Sequence, residues 1–399
     1  MNFPDLSQVK EKLVQTLIDQ KGVGPAAIRV VASPYRICPL GAHIDHQGGP
    51  VLGMTIEAYT FLAYVPSEQG GIELSSENYP GAISFALDSV PESVEIHWGQ
   101  YVRAAVLALK EKYPLQRGLI GLVDGMLPGC GLSSSASVLL AYLSALAEAN
   151  RISLSPWDLV SLTRRAENHY LGLQNGILDQ ASIVFGKKDH LLYIDTKAET
   201  VSPLPAPPVW RDYRILIAFS GYRRELTTSH FNSRVQECQE AAHRLSSQQG
   251  GPAVQILSDI PAEVFERYRE QLPDSLRRRA EHFFNEVIRV QQGLFFWKEG
   301  RMAEFAGLMN ETCISSMEKY ECGIPAICDL QQMVSSTPGI IGSRFMGGGF
   351  GGCVVGLVKT EQAESALETI QNAYRKQHPE VADQTRVFLT RSADGVCFV

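Results

Sequence analysis

A glycine and serine turn running straight into a long apolar segment is the strongest constraint in the chain: residues 128–146 read PGCGLSSSASVLLAYLSAL. The apolar run has helical length, and the turn before it sets where that helix begins. Gly129 and Gly131 allow backbone conformations closed to other residues. The first helical turn then presents N–H groups that lack intrahelical partners and carry a partial positive charge. Such a junction cradles a phosphate. A plain serine-capped helix start is the simpler alternative, because Ser133, Ser134 and Ser135 are all good N-cap residues. The cradle reading engages Pro128, Gly129, Gly131, Leu132, Ser133, Ser134, Ser135 and Ala136.

With 399 residues, 45% hydrophobic and 20% charged, the chain exceeds what one hydrophobic centre usually organises, and two domains are predicted. A formal charge of −7 argues against nucleic acid or an anionic membrane as partner, since either requires a basic surface. Residues 1–12 are mixed polar, without the apolar centre of a signal peptide, and no stretch reaches the ~18 apolar residues of a membrane span. A soluble cytoplasmic protein is expected. The eight cysteines include no Cys-x-x-Cys pair, so buried reduced thiols are expected rather than a zinc site or a disulfide framework.

Along the chain, residues 5–20 have helical periodicity, 27–33 read as a strand ended by Pro34, and 51–65 and 71–76 read as strands. A helix at 101–112 and a strand at 119–124 precede the helix that runs to Asn150. A further helix is predicted over 155–171, capped by Ser155 with Pro156 at its first position, and a strand over 191–195. The run VSPLPAPPV at 201–209 has four prolines in nine residues. That excludes a helix or a central strand and makes it the predicted linker, dividing the chain into 1–205 and 206–399. Beyond it come a strand at 213–220, a helix at 231–248, two helical segments over 277–310 separated near Gly300, a strand at 353–359, a helix at 362–376 and a strand at 385–389. Arg277, Arg278 and Arg279 read as a solvated helix face.

Three further blocks concentrate polar and glycine residues: RICPLGAHIDHQGG at 36–49, ENHYLGLQNGILDQ at 167–180 and RFMGGGFGGC at 344–353. Taken in order with the 128–146 junction, they resemble the GHMP kinases, in their galactokinase-like branch, over nearly the whole chain. The resemblance implies an α+β fold of two domains, an N-terminal ribosomal-protein-S5-like α/β domain and a C-terminal ferredoxin-like α+β domain, with the active site between them. It implies ATP and Mg²⁺ as cofactors and a small-molecule sugar or uronic acid as acceptor. Phosphoryl transfer needs a phosphate cradle, a metal to bridge the phosphates and a group that orients or deprotonates the acceptor hydroxyl. By the resemblance, Ser135 and Glu167 hold the metal, Asp179 is the general base and Arg36 is the cation that assists it. His43, Asp45, Gly176 and Gly348 are assigned to the acceptor pocket.

Two other readings of these blocks are weaker. His43, Asp45 and His46 offer three metal ligands within four residues, but zinc sites need better spacing and further ligands. Gly347, Gly349 and Gly352 fit G-x-G-x-x-G, but a dinucleotide fingerprint opens a helix, whereas residues 353–358 read as a strand.

The first block departs from the galactokinase signature, which has glutamate where this chain has Ala42 and tyrosine where it has His46. A glutamate ~4 Å from a C6 carboxylate would repel it by roughly 4 kcal/mol at an effective dielectric near 20, so alanine removes a discriminator against uronates. His46 adds a possible donor. Phe231 stands where galactokinases have a sugar-contacting tyrosine. With the YECG segment at 320–323 and FSGYRRELTT at 219–228, the pattern resembles the galacturonokinase branch of the family, which implies transfer from ATP to C1 of D-galacturonate. Arg223 and Arg224 are candidate partners for the carboxylate. A galactokinase, a dual galactose and galacturonate kinase, and a non-catalytic sugar sensor are the alternatives.

Overall fold

β-branched and aromatic residues dominate the apolar segments of the first 130 positions, and there the chain builds most of a mixed sheet. The computed structural model describes residues 5–95, 97–223, 228–248 and 253–399. Its strands are β1 (Arg29–Ile37), β2 (Val51–Ser67), β3 (Gly71–Ser76), β4 (Ala82–Ala86), β5 (Gly118–Gly125), β6 (His190–Asp195), β7 (Thr200–Pro205), β8 (Tyr213–Phe219), β9 (Ile340–Phe345), β10 (Cys353–Lys359), β11 (Arg386–Thr390) and β12 (Cys397–Phe398). The first sheet runs β12-β1-β2-β5-β3-β4, with β6 paired to β2 and β7 to β6; the second runs β11-β8-β10-β9. Only β3 and β5 pair in parallel among the described strands. The chain passes from the first sheet to the second between β7 and β8, and β12 returns to pair with β1.

The helices are α1 (Leu6–Lys21), α2 (Gly99–Lys110), α3 (Ser134–Ala149), α4 (Pro156–Arg165), α5 (Leu178–Val184), α6 (Thr228–Ser247), α7 (Ala262–Tyr268), α8 (Asp274–Lys298), α9 (Met302–Glu318), α10 (Pro325–Ser336) and α11 (Ala363–Gln377). Helix α3 is apolar almost all round because it is enclosed: Leu139, Leu143 and Leu146 pack with Val31, Leu62 and Val102 under the first sheet. A second core joins the two halves, bringing Tyr35, Met54 and Leu132 against Ile217, Trp297, Met346 and Val355. This shared core fixes the cleft between the sheets. Among the described residues, no helix is long and apolar enough to cross a membrane.

Several local expectations change in the fold. Pro34 does not end β1; the strand continues to Ile37 past a register shift between Pro34 and Tyr35, since a bulge accommodates the missing N–H. The proline run is not a free linker. Residues 200–205 form β7, bonded to β6, and Pro208–Asp212 form a 3₁₀ turn; an edge strand tolerates proline because one side of its backbone is unpaired. Ser155 and Asp158 form the full capping box of α4, with Asp158 N donating to Ser155 Oγ over 3.1 Å. That helix stops at Arg165, where a π-turn over Ala166–Tyr170 takes over. Gly172, at φ 74°, follows that turn. Arg279 is not on a solvated face: it is 1% exposed and paired with Glu237 and Glu321. Six cysteines are buried as expected; Cys328 is partly buried and Cys397 exposed.

Candidate active site

The junction read from the sequence is a left-handed turn into α3. Gly129, Gly131 and Ser133 all have positive φ, and Ser133 makes no capping hydrogen bond. The serine-cap alternative therefore fails for Ser133, whose buried Oγ has no partner among the described residues. Ser134 Oγ instead accepts from Gly129 N–H over 3.0 Å and closes the turn on itself. The loop is clamped from both sides. Arg36 N–H on β1 donates to Leu132 C=O over 3.2 Å, and the loop after β9 presses on Gly131, where a Cβ would lie 2.9 Å from Met346 O. Only glycine permits that approach.

Arg36 and Asp179, 143 residues apart in the chain, meet directly: Nε and Nη2 both reach Oδ1 at 2.7 Å. Asp179 sits in the first turn of α5. Since both arginine nitrogens converge on Oδ1, Oδ2 is the oxygen turned to other partners, and Arg36 and Asp179 both line a cleft between the sheets. Asp45 lines the same cleft and accepts from Leu178 N–H over 3.2 Å. Gly176 makes room for it: a Cβ there would lie 2.4 Å from Asp45 Oδ2. Burial, then the neighbouring Asp179 carboxylate, raise the Asp45 carboxyl to about 6.

That shift carries a sign for stability. A carboxyl whose folded pKa lies above its ordinary 3.8 binds its proton more tightly when folded. Its contribution to stability is complete below the unfolded value and is lost as pH rises through about 6. Ligand-free Asp45→Asn is therefore expected to melt higher than the native protein at pH 7.5, by about 1 kcal/mol or a few degrees after allowing for partial solvent contact, with the gap closing towards pH 4. Thermal melts across that range check this; a lower melting point at pH 7.5 would contradict it.

Glu167 lies behind the cleft wall, 1% exposed, in the π-turn after α4. Its Oε2 accepts from Asn175 Nδ2 over 2.8 Å and from Gln180 Nε2, while Oε1 is buried without a hydrogen-bond partner among the described residues. Burial, followed by the Asp179 charge, pushes its carboxyl up to about 7, and Asn175, Ser135 and Gln180 pull it back. A buried carboxylate oxygen lacking a partner, next to a serine hydroxyl, is a suitable donor set for a hard cation. Among the described residues no cluster of three or more His, Cys, Asp and Glu side chains is placed to hold a metal ion by itself.

The other candidates are distributed as follows. Pro128, Gly129, Gly131, Ser133, Ser134, Ser135, Ala42, His43, Phe231 and Gly348 line the cleft. Leu132 and Ala136 are fully buried beneath it. His43 stacks on Tyr320, with ring centres 4.6 Å apart. His46 does not reach the cleft lining: its Nε2 is 2.9 Å from Tyr320 Oη, and its Nδ1 accepts from Gln47 Nε2. Desolvation lowers its pKa to about 3, so it is neutral and its donor is already used. Arg223 lies beside the 129–135 turn, its Cβ 3.9 Å from where a Gly129 Cβ would be, and not on the lining. Arg224 lies outside the described residues.

Sequence reasoning missed the supporting residues. Buried His282 is 2.8 Å from Ala42 O through Nε2 and 2.8 Å from Ser315 Oγ through Nδ1. Tyr320 holds both histidines of the first block, and Asn175 holds Glu167. Tyr79, Trp98 and Tyr101 also line the cleft. Each is a single residue whose local pattern matches that of an ordinary core or surface position; the YECG segment was the one available signal.

Comparison with known proteins places this geometry. The family profile for the GHMP kinases N terminal domain matches residues 100–187 and that for GHMP kinases C terminal matches 294–376. A galacturonokinase of Arabidopsis thaliana is 40% identical over 96% of this chain and 95% of its own. The chain belongs to the GHMP kinases. A galactokinase of Roseiflexus sp. is 32% identical over 98% of this chain and 97% of its own. The crystal structure of Lactococcus lactis galactokinase complexed with galactose superposes with a TM-score of 0.89 at 27% identity, covering 98% of this chain and 99% of that one. The two-domain α+β GHMP fold is thus as expected, and membership of this kinase family implies ATP as phosphate donor. The glycine loop precedes strand β10, so the dinucleotide reading does not apply to this GHMP kinase.

Proposed function

We propose that this GHMP kinase transfers the γ-phosphoryl group of ATP to the C1 hydroxyl of D-galacturonate, giving galacturonate 1-phosphate and ADP. The observation that carries the reaction type is the Arg36–Asp179 pair on the cleft wall beside the phosphate turn. The substrate reading rests on Ala42, a methyl group where galactokinases have an acid, and on the similarity to the Arabidopsis galacturonokinase.

In this mechanism Asp179 Oδ2 accepts the proton of the C1 hydroxyl as its oxygen forms a bond to the γ-phosphorus and the bond from that phosphorus to the ADP oxygen breaks. A strong base is not needed, because the transition state is loose and the proton leaves late. Arg36 fixes the carboxylate, holding Oδ1 so that Oδ2 is oriented to take the late proton. N–H groups of the 129–135 turn hold the phosphates, and Tyr79, Trp98 and Tyr101 give the nucleotide base an aromatic surface. Ser135 and Glu167 would hold Mg²⁺, which supplies charge neutralisation on the phosphates. Asp45 takes hydrogen bonds from ring hydroxyls of the sugar.

Galactose is the second acceptor to consider, because the galactokinase complexed with galactose shares the whole fold. ADP release with Mg-ATP and each sugar, with the phosphorylated position read by ³¹P NMR, is the test. Preference for galacturonate with phosphate on C1 is expected. Preference for galactose would overturn the substrate, and no turnover with either would favour a sugar sensor.

A further inference from the structure

Two side chains of α8, one helical turn apart, grip the backbone of the cleft wall from behind. Glu286 Oε1 accepts from Gly41 N–H over 2.7 Å, and His282 Nε2 lies 2.8 Å from Ala42 C=O. Both side chains belong to residues that are 0% exposed, and their i, i+4 spacing puts them on one face of the helix. Residues 41–43 belong to no strand or helix. Their backbone is held where a free chain seldom goes: Gly41 has φ 90° and His43, which carries a Cβ, has φ 61°. A left-handed histidine persists only where its surroundings over-determine it. Tyr320 stacks on the His43 ring, and α8 holds the two residues before it.

The chemistry of His282 fixes what it does there. Burial lowers its pKa to about 4, so the ring is neutral and carries a single proton. A carbonyl oxygen can only accept, which puts that proton on Nε2 and leaves Nδ1 to accept from Ser315 Oγ–H over 2.8 Å. Each nitrogen thus has one partner. Glu286 has wider duties, since it also takes Arg289 Nε and Thr312 Oγ1. Ala42 and His43 line the cleft, and Asp45 follows two residues on, accepting from Leu178 N–H beside Asp179. A shift in residues 41–43 therefore passes to the acceptor side. The 129–135 turn has its own clamps, Arg36 N–H on Leu132 C=O and Met346 O against Gly131.

We propose that His282 is a positioning residue for the acceptor: by holding the Ala42 carbonyl it keeps His43 left-handed and sets the wall against which the sugar lies. This role rests on the assignment of residues 42–45 to the acceptor pocket, and not on which sugar is used.

The test sets His282→Asn against His282→Gln. The shorter amide reaches the place of Nδ1 and can still bond Ser315, whereas the longer one reaches the place of Nε2 and can still donate to Ala42 C=O. KM for the sugar is expected to rise about 10-fold in His282→Asn and to stay within about 3-fold of native in His282→Gln, with KM for ATP within about 2-fold in both. Equal sugar KM values in the two variants, or KM for ATP rising in step, would overturn the role. If His282→Asn fails to fold, the native enzyme decides by ¹⁵N NMR. His282 should show the Nε2–H tautomer, and its Nε2 resonance, assigned by its absence in His282→Gln, should move on addition of sugar and not of a non-hydrolysable ATP analogue. The other tautomer, or a resonance indifferent to sugar, would overturn the role as well. KM is measured with whichever of D-galacturonate and D-galactose the native enzyme prefers, so the uronate assignment and this role fail separately. A protein that uses neither sugar removes the acceptor pocket and the role together.

Discussion

Asp179→Asn is expected to lower kcat by about 1,000-fold or more while galacturonate binds within a few-fold of its native affinity. The substitution keeps the side chain's size and lets Oδ1 go on accepting from Arg36. What it removes is the second oxygen, the one that Arg36 leaves available. An amide nitrogen in that place cannot take the C1 proton, so the loss falls on the chemical step and not on assembly of the pocket. Single-turnover phosphoryl transfer and calorimetric sugar binding separate the two. A variant retaining a tenth of native turnover would eliminate Asp179 as the base and shift the weight to Arg36 and the phosphate turn.

Ala42→Glu is expected to reverse the substrate preference. A carboxylate on the cleft wall at residue 42 would meet the C6 carboxylate at a few ångströms, where the repulsion is roughly 4 kcal/mol at an effective dielectric near 20. Galacturonate kcat/KM should fall about 100-fold or more, and galactose should fall far less, since its C6 hydroxyl can donate to the new acid. The measurement is the ratio of kcat/KM values for the two sugars; an unchanged ratio would show that residue 42 does not face C6. Asp179→Asn changes the rate of transfer to any acceptor, whereas Ala42→Glu changes which acceptor is used, so the two results are independent.

Much of this site was legible because its chemistry is written locally. Glycines at 129 and 131 announce a turn that only positive φ can make, and Ser155 with Pro156 announces a helix start; both depend on contacts a few residues long. The three other blocks were recognised for their composition and order. The errors share one cause. Pro34, the 201–209 run and Arg279 were judged from intrinsic preference, and each was overridden by a partner far away in sequence: a neighbouring strand that accommodates a bulge, an edge that needs no second hydrogen-bonding side, and two glutamates that neutralise a buried guanidinium. The same holds for His46, whose promise as a donor ended at Tyr320 Oη, 274 residues further on.

By itself the sequence determined the parts: a phosphate turn ahead of α3, carboxylates at 45, 167 and 179, a second glycine loop, and alanine where the related kinases have an acid. The turn follows from backbone sterics, a property of a short segment, whereas the carboxylates and the alanine were singled out by the resemblance to the family. The tertiary structure decided the pairings. It set Arg36 on Asp179, pressed Met346 O against Gly131 and turned His46 away from the cleft. Electrostatic energy depends on distances between groups more than a hundred residues apart, and packing the two sheets on one core is what sets those distances.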